Sequence, residues 1–315
     1  MPPVVDVVGV GINATDTVIR LPHFPALDTK VEMLSSEILP GGQVATAMVA
    51  CQRWGLQTRY VGKVGADEAG QLQARNFVRE GVEAQILIVP GASSQVAYIL
   101  VDQDSGERTI LWKRDAAIAL RPEDLRPEWI VQARALHVDG HDTAAAATAA
   151  RWARKAGIPV TADLDNLYPG IEKLLPNVDY LLASREFPER LTGESDLRNS
   201  LPEIAKRYGS RLAGATLGSE GVLTWDGREF HYCPGYTVRV QDTTGAGDVF
   251  HAGFLYGLLR GWPLAQQLEF SCAAAALNCT APGARGCIAT LHEIERLART
   301  GERSEPAFPP AALRQ

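Results

Sequence analysis

The chain predicts an α/β fold in which a central, mostly parallel sheet is flanked by helices, with a small β subdomain over its ligand edge. Three features lead there. From Ala135 onward strand and helix patterns alternate, as expected of βαβ units with both sheet faces covered. Val4 to Val10 is a β-branched run ending in Gly9-Val10-Gly11, the pattern of a buried parallel strand whose C-terminal end opens toward a ligand. The first third instead holds hairpin-like pieces that fit such a sheet poorly, and these predict the subdomain.

Taken in order, Asn13 and Asp16 follow the first strand at its mouth. Between Asp16 and Pro40 short apolar pieces, Thr17 to Ile19 and Val31 to Leu34, are punctuated by Pro22, Pro25 and Pro40, and predict short strands outside the main sheet. After Gly41-Gly42, Gln43 to Trp54 has helical period, with Val44, Ala47, Met48 and Cys51 on one side and Gly55 as the stop. Tyr60 to Gly65 is the next strand, and Asp67 to Arg79 the next helix. Gln85 to Val89, Gln95 to Val101 and Arg108 to Trp112 read as strands, the last two joined by the turn Asp104-Ser105-Gly106-Glu107. The alternation then runs through Ala135 to Val138, helix Thr143 to Lys155, Ile158 to Ala162, Tyr180 to Ala183, helix Leu197 to Tyr208, and Leu212 to Leu217. One domain is expected over 1–298, with a discontinuous β lid from about 16–38 and 85–113. Residues 299–315, with three prolines, read as a loose tail.

Composition removes several function classes. A formal charge of -6 over 315 residues, with no dense Lys or Arg run, gives no field to follow a phosphodiester backbone, so nucleic acid is not expected as a partner. No apolar stretch approaches the roughly 18 residues of a membrane span, and Met1 to Gly11 lacks a secretory pattern, so the expected location is the cytoplasm. The five cysteines are scattered without a C-x-x-C pair, which argues for reduced thiols and against a structural zinc site.

The sharpest motif is Asp242-Thr243-Thr244-Gly245-Ala246-Gly247-Asp248, followed by a helix with apolar residues at 250, 254, 255, 258 and 259. Glycines at a helix N-terminus leave unpaired N–H groups facing any anion that approaches the backbone. A carboxylate placed there repels that anion unless it has a task. Asp248 can take a proton from an attacking hydroxyl while Gly245, Ala246 and Gly247 stabilise the transferring phosphoryl group. On helix chemistry alone, Asp248 as a cap and the glycines as a tight turn fit equally well.

This motif with its helix resembles the C-terminal signature of the pfkB/ribokinase family of carbohydrate kinases, and Gly41-Gly42 through Gly65, Asp67 and Gly70 resembles its N-terminal signature. The resemblance runs from about Val4 to about residue 298. It implies a ribokinase-like fold with a β-sheet lid, ATP and Mg2+ as cofactors, Asp248 as catalytic base and Gly245 to Gly247 as anion hole. Thr216, Gly218 and Gly221, in a turn at a strand end, would contact ATP phosphates, and Ala275 and Asn278 would flank the adenine. At the acceptor end it implies Asp16, Asn13, Gly41 and Gly42 for the sugar, although Asn13 and Asp16 also read as turn residues bonding their own backbone. Thr46 stands where the family often has Asn, and a single hydroxyl cannot fork between two sugar hydroxyls as an amide does. His141, Lys113 and Arg108 are candidates for the far end of the substrate. Where many members carry N-x-x-E, this chain has Ser184-Arg185-Glu186-Phe187; Glu186 can order water around magnesium or simply start a helix. Asp242 and the carbonyls of Thr244, Asn278, Ala281 and Gly283 would form a potassium site, with Cys287 where a hydroxyl often completes the shell.

The surrounding pattern, Gly-Gly-x-x-Ala-Thr-Ala with Asn278-Cys279-Thr280-Ala281-Pro282-Gly283, is similar to the branch containing ketohexokinases and sulfofructose kinases. The function implied is phosphorylation of a hydroxyl of a ketose or related sugar. A nucleoside kinase of the same fold and a non-catalytic sugar- or nucleotide-binding regulator are the alternatives. Lids of this type pair between subunits in relatives, which implies a homodimer.

Overall fold

The computed structural model describes residues 4–308. In chain order the elements are β1 (Val5–Val10), β2 (Ala14–Leu21), β3 (Ser35–Gly41), α1 (Gln43–Arg53), β4 (Thr58–Gly65), α2 (Glu68–Glu80), β5 (Glu83–Val89), β6 (Val96–Asp102), β7 (Arg108–Lys113), α3 (Pro127–Val131), β8 (Ala133–Asp139) and α4 (Thr143–Lys155). There follow β9 (Val160–Leu164), α5 (Ile171–Leu174), β10 (Tyr180–Ser184), α6 (Phe187–Thr192), α7 (Leu197–Tyr208), β11 (Leu212–Thr216), β12 (Val222–Trp225), β13 (Phe230–Cys233), α8 (Ala246–Arg260), α9 (Leu264–Asn278) and α10 (Leu291–Thr300).

Nine strands form the main sheet in the order β13-β12-β11-β10-β9-β8-β1-β4-β5. All neighbours from β11 to β5 are parallel, and β12 and β13 add an antiparallel edge. The chain starts in the middle at β1, moves out to β4 and β5, then returns to β8 on the other side. The crevice at the C-terminal ends of β1 and β8 is therefore a topological switch point, where an open parallel sheet receives its ligand.

Burial explains the strand composition. Every residue of β1 except Asp6 is buried, and all five residues of β9 are, because helices cover both faces. One face packs on α3 to α7 through residues such as Ile130, Ala149, Leu174 and Leu201. The other packs on α1, α2, α8, α9 and α10 through Met48, Phe77, Phe254, Phe270 and Ile294. Helix α8 is buried from Val249 through Gly257, with no polar face. Truncating a ring at its centre, such as Phe254→Ala, would cost about 3–5 kcal/mol. Local signals start and stop the helices: the Asp67 side chain accepts from Gly70 N at 2.9 Å to cap α2, and Thr290 and Glu293 form a capping box on α10.

A second sheet, β3-β2-β6-β7, forms the lid. Its inner face carries Val18, Ala97, Ile99 and Val101 against Leu39. Arg114, just after β7, makes an ion pair with Asp142 at 2.5 Å, which anchors the lid to the loop following β8.

Three expectations are corrected. Gln85 to Val89 is not lid: it lies in β5, paired in parallel with β4 at the edge of the main sheet from Arg59↔Glu83 to Gly65↔Val89. The β4-α2-β5 connection is an ordinary crossover, and half-burial at an edge produced its weak pattern. The strand expected near Val31 to Leu34 sits at Ser35–Gly41 and includes Pro40, tolerated on the lid's edge strand. Residues 299–308 are not loose: Thr237 N donates to Glu302 O and Ser304 N to Gly235 O, both at 2.9 Å, and the Arg303 guanidinium lies 3.9 Å from the Tyr236 ring. The remainder of the expected tail, 309–315, is outside the described residues.

Candidate active site

A cleft of about 450 Å³ opens between the lid and the C-terminal ends of the main-sheet strands, lined among others by Asp16, Gly42, Arg108, His141, Asp163, Thr216, Gly245, Gly247, Asp248 and His251. At the head of α8, Gly245 has φ 75 and Gly247 and Asp248 lie in the first turn. A Cβ on Gly245 would come 2.2 Å from the Ala284 carbonyl oxygen, so the turn requires glycine both for its backbone angle and for the close approach. The segment before it is closed by Asp242, which is fully buried. Its carboxylate accepts from Thr244 N (2.8 Å), Thr244 Oγ1 (2.6 Å) and Gly283 N (2.7 Å). Asn278, assigned from sequence to the nucleotide, is also fully buried. Its Nδ2 donates to Thr244 O at 3.1 Å and to Ala284 O at 3.2 Å, so this side chain braces the Gly245 loop. Ala275, one turn earlier on α9, is partly exposed and outside the cleft lining.

Asp248 is partly open to the cleft. Burial, reinforced by the nearby Asp163 carboxylate and opposed by His251 and Arg108, pushes its pKa up to about 7. A carboxylate so placed has the basicity to accept a proton from a hydroxyl at neutral pH.

Across the cleft Asp16, on β2, is 4% exposed. Burial raises its pKa to about 7 despite the opposing charge of Arg285. A Cβ on Gly41 would fall 1.9 Å from Asp16 Oδ2, so the first glycine of the pair exists to admit this carboxyl. Asn13 is buried with both side-chain amide atoms unpartnered, and Gln43 and Gln95, which line the cleft, each hold a buried Oε1 without a partner. Gln43 and Gln95 are therefore free to exchange hydrogen bonds with a ligand in the cleft, whereas Asn13 is outside its lining.

Two acceptor candidates stand outside the cleft. Thr46 is fully buried and outside the cleft lining. Its Oγ1 accepts from Arg285 Nε at 3.2 Å. The Arg285 guanidinium also donates to Gly41 O at 2.9 Å and to Asn76 Oδ1 and lies against the Phe77 ring. Lys113 is outside the cleft because side chains alternate along β7: Ile110 and Trp112 face the cleft, which turns Lys113 and Leu111 outward. Arg108, at the start of β7, does reach in and donates to Thr243 Oγ1. His141 is in the lining, with its Nε2 2.9 Å from Tyr168 Oη and its ring edge-on to Trp112 of the lid at 6.0 Å.

Strand ends supply groups that no motif marked. Asp139, closing β8, accepts from Ile12 N at 2.7 Å and His141 N at 3.1 Å, which fixes the mouth of β1 against β8. Asp163 at the end of β9 stands 3.3 Å from His251 Nε2. The only available signal was position: polar residues at the C-terminal ends of otherwise apolar parallel strands.

On the nucleotide side Thr216 lines the cleft. The turn from Gly218 to Gly221 is glycine at both ends, with φ 63 and 98, and is held by Arg185, whose Nη2 donates to Leu217 O at 2.9 Å and pairs with Glu220. Glu186 is exposed at the head of α6, outside the lining, while Ser184 lies within it. Ala281 and Cys287 are partly exposed in the loop between α9 and α10, and the Gly283 amide is committed to Asp242.

Residues 6–291 match the pfkB family carbohydrate kinases. This chain belongs to that family. A relative named ATP-dependent ribose-1-phosphate kinase, from Halopiger xanaduensis, is 30% identical over 277 residues, 86% of this chain and 90% of the relative. A ribokinase from Haemophilus influenzae is 28% identical over 290 residues, 90% of this chain and 94% of the relative. The solved structure of ribokinase from Thermotoga maritima superposes with a TM-score of 0.81 at 25% identity, covering 94% of this chain and 100% of that one. The fold is ribokinase-like, and the chain is an ATP-dependent carbohydrate kinase that phosphorylates a small-molecule sugar. Among the described residues no helix is long and apolar enough to cross a membrane.

Proposed function

We propose that Asp248 is the general base of this kinase, deprotonating a primary hydroxyl of a ketose or related sugar for in-line attack on the γ-phosphorus of ATP. The observation that carries the reading is a carboxyl at the head of α8, inside the cleft and tuned by burial toward neutrality, beside the backbone of Gly245 and Gly247. The proton passes to Asp248 as the oxygen–phosphorus bond forms, and ADP leaves. The N–H groups at the start of α8 stabilise charge on the migrating phosphoryl. Asp16, Gln43 and Gln95 bind the remaining hydroxyls, Asn13 assists from beside the lining, and the lid residues Ile110 and Trp112 keep water out.

The lining carries four carboxylates, Asp16, Asp163, Asp165 and Asp248, so the nucleotide must arrive with its charge neutralised, as the magnesium complex. Glu186 is exposed at the head of α6 and outside the lining, so it would serve that ion only through water. A potassium site would use Asp242 and the Asn278 region, where Asn278 Oδ1 is a buried acceptor without a partner; Thr244 O is already bonded, and Cys287 offers only a thiol. The outer lid face exposes Ile38 (63%), Tyr98 (51%) and Leu111 (55%), an apolar surface that a second copy would cover in a homodimer.

A second acceptor class is favoured by the cationic groups in the lining, Arg108 and Arg190 with His141, which would suit a sugar already bearing a phosphate. The test is an ADP-release screen over ketoses, aldoses, their phosphates and nucleosides, run with wild type and Asp248→Asn. Turnover of a free or phosphorylated sugar that disappears in Asp248→Asn supports the reading. A variant with near-normal rate removes Asp248 from its role, and a preference for nucleosides removes the substrate class.

A further inference from the structure

In the same lining as Asp248 stands a pair that the phosphoryl-transfer scheme does not use. His251 is on α8 three residues after Asp248, on the same face, and is 2% exposed. Its Nε2 lies 3.3 Å from Asp163 Oδ1, and Asp163 is 7% exposed. Among the described residues no Lys or Arg forms an ion pair with Asp163, so this imidazole is the only cation-forming group in contact with it. The neighbouring ring cannot substitute. His137 on β8, 5.3 Å from His251, is fully buried, its Nδ1 is 2.9 Å from Thr161 Oγ1, and burial drives its pKa down to about 3. It stays neutral. His141 acts on Asp163 only at longer range and is engaged with Tyr168.

A buried carboxylate without a counter-charge is costly. Burial disfavours the charged form of Asp163, yet the charge of His251 and the hydrogen bond from it hold the carboxyl below the usual range. The charged groups that share the lining with Asp248 and act on it are Asp163 from β9, His251 from its own helix, Arg108 from the lid and Asp16 from β2. Asp163 is the one that most opposes ionisation of the base after burial itself. His251 acts on Asp248 in the opposite sense, and its removal would leave the Asp163 carboxylate in the lining without its partner.

We propose that His251 is a positioning residue which, by balancing the charge of Asp163, sets the pH at which Asp248 becomes an active base. This rests on Asp248 being the base. It separates the pair from ordinary core packing, because a packing role predicts a loss of rate that is the same at every pH.

The experiment measures kcat/KM against pH from 5.5 to 9.5 for wild type, His251→Gln, Asp163→Asn and the double variant, with ATP and whichever of D-fructose, D-ribose or ribose 1-phosphate wild type turns over fastest. His251→Gln should move the acid limb up by about one pH unit, the size expected for one unscreened charge near a partly buried acid. That is roughly a tenfold loss at pH 6.5 and little loss at pH 9. Adding Asp163→Asn should return the limb to the wild-type position or below, since the repulsion and its compensation are then both gone. Should His251→Gln not fold, His251→Asn and His251→Arg carry the test, the latter restoring a cation and the wild-type limb. An unmoved limb in His251→Gln, or a double variant no better than the single one, overturns the proposal. Asp248→Asn run alongside separates the two readings: if it is inactive while the limb stays put, only the role of His251 falls, and if it is active, the base assignment falls too.

Discussion

Replacing Asp248 by Asn should remove activity and at the same time stabilise the fold, with a pH dependence that identifies the cause. The carboxyl has an ordinary pKa of 3.8 in the unfolded chain and about 7 in the folded one. At about 1.4 kcal/mol for each tenfold change in proton affinity, full ionisation of the folded form would cost roughly 4 kcal/mol. Because the carboxyl is partly open to the cleft, screening reduces this to about 2 kcal/mol. The sign follows from the raised value: the cost is absent below about pH 4, where both states are protonated, grows as pH rises toward 7, and is complete above it. Asn never ionises, so the variant should be more stable by about 2 kcal/mol at pH 8, roughly 4 °C in Tm for a chain of this size, and equal to wild type near pH 4. Differential scanning fluorimetry of the ligand-free protein at pH 8, 6 and 4.5 measures this. Coupled ADP release measures the rate, expected to fall about 10²–10⁴-fold. A variant that is inactive but no more stable at pH 8 than wild type would mean that the carboxylate is not strained by its site, and the argument from burial to basicity would fail.

In wild type, kcat/KM should rise about tenfold per pH unit up to roughly pH 7 and then level off, as expected when a base with its pKa raised by burial must be deprotonated to work; a limb near pH 4 would contradict that. Arg285→Met should raise the sugar KM about tenfold and change the ATP KM by less than about twofold, because the guanidinium holds the Gly41 carbonyl and faces Asp16; steady-state kinetics with each substrate varied would show the opposite split if Arg285 served the nucleotide. Tyr98→Arg with Leu111→Lys should halve the particle mass, read by light scattering as a change from twice 34.0 kDa to that value; an unchanged mass would place any dimer contact elsewhere.

What could be read from the sequence was whatever is local. The anion-hole loop and its helix occupy adjacent residues, so Asp242 to Leu259 announced both the turn and the buried face, and alternation with turn chemistry marked nearly every strand and helix from Ala135 onward. Strands were found, but the sheet they join was missed where pairing rather than composition decides. Gln85 to Val89 has the same half-buried character whether it edges the lid or the main sheet, and only its parallel register with β4 distinguishes them.

Side-chain roles were lost in a second way. Asn278 lies in a segment that resembles the family, yet its amide is used by the Thr244 and Ala284 carbonyls. Thr46 is capped by Arg285, a residue 239 positions away whose neighbours give no motif. The two share a feature: one short segment between α9 and α10 braces the Gly245 loop through Ala284 and the diglycine through Arg285. Such a segment has no periodicity to reveal it. Its coupling has a consequence for the chemistry, because a shift of that loop moves the floor of the acceptor site and the phosphate-binding backbone together. With Asp248 and the Gly245 loop in the roles proposed above, substitutions in 281–287 should disturb acceptor binding and phosphoryl positioning together.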